Sequence, residues 1–172
     1  RRAALATARD ALADGIDIRA LYMEVFQPAM YAIGHLWETN QFTVAQEHLA
    51  SSIVSRVMAA LYASRDVPTR RAGTAMVTSA MNEFHEIGAW MVADLLELKG
   101  WKVTYLGANT PVDECLTLLR ELRPDVLAVS VTMPFNLVHA KSLIETIRKG
   151  GYRLIAANRQ AMRAMGPTAG AF

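Results

Sequence analysis

The sequence has little cysteine, no long apolar run and no large excess of either charge. Its single cysteine, Cys115, excludes an internal disulfide and a cysteine-rich zinc site. No apolar run is long enough to span a bilayer, and no signal peptide is visible. We therefore expect a cytoplasmic protein that does not bind a membrane. Because the chain begins at Arg1 without Met, we also expect a fragment of a longer protein.

The charges are nearly balanced, since 18 Lys and Arg face 16 Asp and Glu and leave a formal charge of +2. A nucleic-acid-binding domain usually has a much larger basic excess, clustered on one face. Here the paired arginines stand at Arg1–Arg2 and Arg70–Arg71, a chain end and an expected linker. The sequence therefore does not indicate nucleic acid as a partner of this chain.

Apolar residues make up 52% of the 172 residues, which is enough for a buried core. The periodicity changes part-way along the chain and predicts an α/β protein with an all-α N-terminal part. Residues 1–66 predict a four-helix bundle, residues 67–72 a linker and residues 73–172 a second domain. Helices of the bundle are expected at 2–13, 18–26, 28–37 and 44–64, the last with Thr43 and Gln46 as a capping box.

The second domain alternates short apolar strands with helices. Such alternation is typical of a Rossmann-like or flavodoxin-like parallel sheet, which binds ligands at the carboxyl ends of its strands. Thr110 should cap the second helix, with Pro111 at its first position. The expected strands are 74–80, 101–106, 125–131 and 152–156, and the other expected helices are 86–99, 137–149 and 159–165.

Glu83-x-His85-x-x-Gly88 lies between the first strand and the first helix of this sheet domain. Glu83 can accept a hydrogen bond from Nδ1 of His85, which leaves Nε2 to bind a metal. Gly88 allows a close backbone approach. The same short pattern also fits a solvated loop histidine with carboxylate neighbours.

Two further patterns have more than one interpretation. Ser130 and Thr132 end the third strand and either contact a ligand or cap the following turn. Nine residues separate Trp37 from Glu47-His48, and the polar face that starts at Glu47 is either solvated or turned toward a polar cofactor.

Together these motifs resemble the cobalamin-binding module, a helical cap followed by a Rossmann-like domain. The family motif is Asp-x-His-x-x-Gly, then 41 residues, then Ser-x-Leu/Val/Thr; here Glu83-x-His85-x-x-Gly88 precedes Ser130-x-Thr132 at that spacing. The resemblance implies that His85 is the lower axial cobalt ligand, in place of the cofactor's own base. It also implies that Glu83 tunes His85 and that the nucleotide tail enters the sheet crevice near Ser130 and Thr132.

The helical part is similar to the light-sensing members of this family. Trp37, Glu47 and His48 match residues that lie over the upper face of adenosylcobalamin there, and the turn beginning at Gly107 matches as well. The resemblance implies a non-enzymatic photosensor that signals through a homo-oligomer or a fused or partner output domain. The alternative is the methyl-carrying corrinoid subunit of a methyltransferase system. A flavodoxin-like domain without cobalamin is disfavoured, because an early acidic cluster and a glycine-rich phosphate loop are absent.

The sequence departs from the family pattern at three places. Glu83 replaces the motif's aspartate, and Ala157-Asn158 stand where a Gly-Gly pair follows the fourth strand. Glu38 follows Trp37 where the transcriptional photoreceptors have the histidine that becomes the upper ligand. Because of the third departure, the sequence also resembles the related light-sensing domains that bind a bilin such as biliverdin in addition to cobalamin.

Overall fold

The structure is a computed structural model that describes residues 2–63 and 72–149 and the backbone of residues 154–156. The chain divides into two compact units, residues 1–66 and residues 67–172. Most of the expected linker at 67–72 lies outside the described residues, as do Ala157-Asn158 and the helix expected at 159–165.

All regular secondary structure in the described residues of the first unit is helical. Helices α1 and α3 pack against α4, and the buried side chains include Tyr22, Phe26, Met58 and Leu61. The elements are α1 (Arg2–Ala13), α2 (Ile18–Ala20), a π-helical segment (Leu21–Phe26), α3 (Gln27–Glu38) and α4 (Val44–Tyr62). The expected capping box is confirmed, because Thr43 and Gln46 exchange side chain to backbone hydrogen bonds at the start of α4.

The third helix, α3, has Pro28 in its first turn and spans the expected residues, but the expected break before it is wrong, because α2, the π-helical segment and α3 follow one another without a loop. Proline inside an α-helix lacks an N–H and its ring clashes with the carbonyl four residues earlier. The π-helical segment ends just before Pro28, where the N–H of Gln27 donates to the carbonyl of Tyr22. This wider turn lets the helix continue through Pro28, so the expected second and third helices form one continuous stretch.

The second unit contains a parallel sheet in the strand order β2-β1-β3-β4, which confirms the Rossmann-like fold class. The expected strands and helices are found to within two residues at each end that the structure describes. The elements are β1 (Gly73–Ser79), α5 (Ile87–Leu98), β2 (Trp101–Tyr105), α6 (Val112–Leu122), β3 (Val126–Ser130), a 3-10 turn (Pro134–Asn136), α7 (Leu137–Lys149) and β4 (Leu154–Ala156).

Both faces of the sheet are covered by helices. Met76 of β1 packs with buried residues of α6 and α7. Its neighbour Val77 points to the opposite face and packs with Ala89 and Ala93 of α5. This double coverage explains the continuous apolar sequence of β3, all of which is buried. In the described part of the chain no helix is long and apolar enough to cross a membrane.

The start of α6 differs from the expectation. Pro111 is the N-cap and the helix begins at Val112. The hydroxyl of Thr110 accepts a hydrogen bond from the Thr78 hydroxyl at 2.8 Å instead of capping the helix. The bond ties the loop after β2 to the end of β1, so the tertiary contact overrides the local capping preference.

The capping box makes a stability prediction for the helical unit. Thr43→Ala removes the side-chain acceptor for the Gln46 N–H, and we expect a loss of about 1 kcal/mol in the free energy of unfolding. Thermal melts followed by circular dichroism measure the loss. Ser52→Ala, on the exposed surface of α4, is the control. An equal effect of both substitutions would contradict a capping role for Thr43.

Candidate functional site

Glu83 and His85 form a pair in the loop between β1 and α5, at the carboxyl edge of the sheet. The Nδ1 of His85 lies 2.5 Å from Oε1 of Glu83, and the same oxygen accepts the backbone N–H of His85 at 3.0 Å. An ionised carboxylate only accepts hydrogen bonds, so Nδ1 carries the proton and the lone pair is on Nε2. The imidazole is 54% exposed while the carboxylate is fully buried.

The second oxygen of Glu83 joins this loop to the loop after β3. Oε2 accepts the backbone N–H groups of Thr132 and Met133, both at 2.8 Å, and the side-chain amide of Asn136 at 3.2 Å. Thr132 therefore contributes its backbone to the Glu83 carboxylate, and its role toward a ligand stays a prediction. Ser130, also named by the motif, is buried at the last position of β3.

These contacts determine the protonation state of Glu83. Burial alone would raise the pKa of this carboxyl, but hydrogen bonds from the His85 side chain and from three backbone N–H groups outweigh it. The result is a pKa lowered from 4.5 to about 2. Glu83 thus remains ionised near neutral pH and keeps His85 in the tautomer with the Nε2 lone pair.

Sequence reasoning missed three asparagines that connect the loops of this edge. The backbone N–H of Asn82 donates to the Asn109 side chain after β2, and the Asn82 carbonyl accepts from Asn136 after β3. The backbone N–H of Asn109 also donates to the Glu83 carbonyl. Asn82 and Asn109 adopt positive φ angles of 64° and 52°, a conformation that asparagine tolerates better than most residues.

The segment after His85 is held from the side of β2. The hydroxyl of Tyr105 donates to the Glu86 carbonyl at 3.2 Å. Gly107 has a φ of 78°, and a Cβ there would lie 3.4 Å from the Glu86 carboxylate. Gly88 is different, because a Cβ built there would meet no described atom within 4 Å apart from its chain neighbours and the nearby backbone of α5. Its predicted role in binding the cofactor stays a prediction.

The other predicted site residues lie in the helical unit. Trp37 is in the last turn of α3 and is 40% exposed. Glu47 is in the first turn of α4, where its carboxylate accepts hydrogen bonds from Nδ1 of His48 and from the Ser51 hydroxyl, both at 2.5 Å. The imidazole of His48 is 74% exposed. Glu47 and His48 therefore repeat, on a helix, the carboxylate–imidazole pairing of Glu83 and His85.

Residues 73–157 match a family model described as B12 binding domain, and residues 1–62 match a second model with the same description. Both units of the chain belong to B12-binding domain families. These matches confirm the expected cobalamin-binding domains. The roles of the individual site residues stay predictions.

Several characterised relatives align with most of this cobalamin-binding protein. It is 28% identical over 151 residues to the trimethylamine corrinoid protein of Methanosarcina barkeri, which covers 85% of this chain and 69% of the relative. It is 34% identical over 108 residues to the HTH-type transcriptional repressor CarH of Myxococcus xanthus, covering 62% of this chain and 35% of the repressor. The monomethylamine corrinoid protein of Methanosarcina barkeri has the same fold, with a TM-score of 0.77, 18% identity and coverage of 92% and 79%.

The lowered pKa of Glu83 predicts an acid-sensitive contribution to stability. A carboxyl whose pKa is lower in the folded protein stabilises it above the usual pKa of about 4.5, and this contribution is lost as the pH falls toward 2. Glu83→Gln should therefore cost on the order of 3 kcal/mol at pH 7 in the cofactor-free protein. The difference between the two proteins should narrow below about pH 4.5.

Urea denaturation at a series of pH values measures this difference. Glu121→Gln, at an exposed position of α6, serves as the control and should track the wild-type protein. A Glu83→Gln difference that stays constant from pH 7 to pH 2 would show that the carboxylate charge contributes nothing.

Proposed function

We propose that His85 binds the cobalt of cobalamin through Nε2, with the cofactor's own base displaced into the sheet crevice near Ser130 and Thr132. The observation that carries the proposal is the buried, ionised Glu83, which orients an exposed imidazole with its lone pair on Nε2. A carboxylate behind a ligating histidine fixes the ring and raises its basicity.

The surroundings of His85 fit a metal that is already coordinated by a macrocycle. Within the described residues no three His, Cys, Asp or Glu side chains converge to hold a bare metal ion. A single imidazole would be sufficient for a metal whose remaining protein-independent ligands come from a corrin ring. Exposed apolar side chains near this pair suit the edges of such a ring, namely Phe84 in the same loop, Phe135 in the 3-10 turn and Val138 in the first turn of α7.

Removal of the imidazole tests the ligation. His85→Ala should convert the absorption spectrum of bound cobalamin to a base-on or water-ligated form. It should also weaken binding by at least roughly tenfold, since even the outer partners of metal ligands contribute that much. Absorption spectroscopy during titration measures both effects.

His139→Ala is the matched control, because His139 lies at the same edge, 3.2 Å from the Asn82 side chain, and is not assigned to cobalt. It should leave the spectrum unchanged. A wild-type spectrum for His85→Ala would refute the assignment of the ligand.

For the biological role, we propose a corrinoid methyl carrier. Bound cobalamin would supply the cobalt–carbon bond that holds the transferred methyl group, while the chain binds and orients the cofactor. The similarity to the trimethylamine corrinoid protein extends over both units and over 69% of that relative. It therefore supports a carrier over more of the chain than the similarity to CarH supports a regulator.

A light sensor is the second candidate, supported by the Trp37, Glu47 and His48 motif. An exposed indole at the end of α3 offers a flat apolar surface that suits an adenosyl group. Glu47 holds His48 through Nδ1, as Glu83 holds His85. In this role adenosylcobalamin is the cofactor and loss of adenosyl in light changes the shape or assembly of the protein; binding of a bilin belongs to this candidate alone.

Substitution of Trp37 separates the two roles. For a carrier, Trp37→Ala should change the affinities for methylcobalamin and adenosylcobalamin by the same factor, within about twofold, and light should leave the small-angle scattering unchanged. Tyr31→Ala, another exposed aromatic residue on α3, is the control. A selective loss of adenosylcobalamin together with a light-induced change in scattering would favour the sensor.

A further inference from the structure

Ser79 has a buried hydroxyl that the fold leaves unsatisfied. It is the last residue of β1, its side chain is 0% exposed, and its Oγ has no hydrogen-bond partner in the part of the chain that the structure describes. No other buried side-chain atom of the described residues is in this state. A buried hydroxyl loses its hydrogen bonds to water, so one without a partner indicates a missing group.

The backbone of Ser79 is fully engaged, which isolates the side chain as the unsatisfied group. The Ser79 N–H donates to the Gly107 carbonyl at 3.0 Å, and the Ser79 carbonyl accepts from the Thr78 hydroxyl at 3.0 Å. Ser79 lies next to Ser130 in the register of β1 and β3. Paired residues of neighbouring strands share a face, so the two serines lie side by side on the face covered by α5.

The neighbours of the two serines define the chemistry of this face of the sheet. Further down the same face, Val77 and Ala128 pack against Ala89 and Ala93 of α5. Small apolar side chains followed by two hydroxyls suit a flat ligand that also carries hydrogen-bond acceptors. A nucleotide, with an aromatic base, a ribose and a phosphate, has that chemistry.

We infer that Ser79 hydrogen-bonds the nucleotide tail of cobalamin and makes the protein select corrinoids that carry this tail. The inference rests on the proposed function, in which the displaced tail enters the sheet crevice near Ser130. The Ser79 hydroxyl donates to an acceptor atom of the tail, and the bound tail satisfies a group that is unsatisfied in the protein alone.

Paired titrations with two corrinoids test the inference. Aquacobalamin carries the nucleotide tail, and diaquacobinamide is the same corrin without it. We expect Ser79→Ala to raise the dissociation constant for aquacobalamin roughly five- to tenfold, the effect of one hydrogen bond to a buried partner. The dissociation constant for diaquacobinamide should stay within about twofold, and the melting temperature of the cofactor-free protein should not fall.

Thr78→Val is the matched control, because Thr78 precedes Ser79 and its hydroxyl already binds the hydroxyl of Thr110 and the carbonyl of Ser79. Its loss should lower the melting temperature of the cofactor-free protein and alter both affinities by a similar factor.

An unchanged dissociation constant of Ser79→Ala for aquacobalamin would refute the inference, and the other outcomes overturn it in distinguishable ways. If Ser79→Ala weakens both corrinoids equally, or lowers the melting temperature as Thr78→Val does, Ser79 is a structural residue. The absorption spectrum of the wild-type protein with diaquacobinamide then tests the proposed ligation by His85 separately, because this corrinoid has no base that competes with His85 for the cobalt. If the wild-type protein binds neither corrinoid, the proposed function has failed and the inference fails with it.

Discussion

The carboxylate of Glu83 is the group on which the carboxyl edge of the sheet depends. It is fully buried, and its two oxygens serve different loops: one accepts from His85, the other from the backbone of Thr132 and Met133. A buried ionised carboxylate is unfavourable without such donors. The loops after β1 and β3 therefore stabilise the charge, and the charge in turn holds the loops together and orients the histidine.

Glu83 is one methylene longer than the aspartate of the family motif, and this length affects its contacts. The motif has aspartate here, and the extra methylene of Glu83 still allows contact with Nδ1 of His85 at 2.5 Å. At the same time the carboxylate accepts a hydrogen bond from Asn136, the last residue of the 3-10 turn before α7. Asn136 also donates to the carbonyl of Asn82, so its side chain joins the turn after β3 to two consecutive residues of the loop after β1.

The sequence was sufficient to predict most of the sheet unit, because buried strands and amphipathic helices have distinct periods and glycine marks their ends. It also predicted the pairing of Glu83 and His85, which are two residues apart and need no long-range fold. It could not predict Asn136 as a partner of Glu83, since 53 residues separate them and only the order of the strands brings them together. The break expected before Pro28 was wrong for a local reason, because a π-helical segment accommodates a proline that an α-helix would not.

The Glu83–His85 pair alone does not decide whether the protein is a carrier or a sensor. Glu83 holds an exposed imidazole with its Nε2 lone pair available, and the proposed ligation of cobalt needs this arrangement in a carrier and in a sensor alike. The distinction has to come from residues that meet the upper ligand. In this chain the predicted candidates are Trp37 and the Glu47–His48 pair, all of them in the helical unit. A carrier has to leave the cobalt accessible to a methyl donor and a methyl acceptor, whereas a sensor needs side chains that contact the adenosyl group. The helical unit is therefore where the two roles place opposite demands on the same side chains.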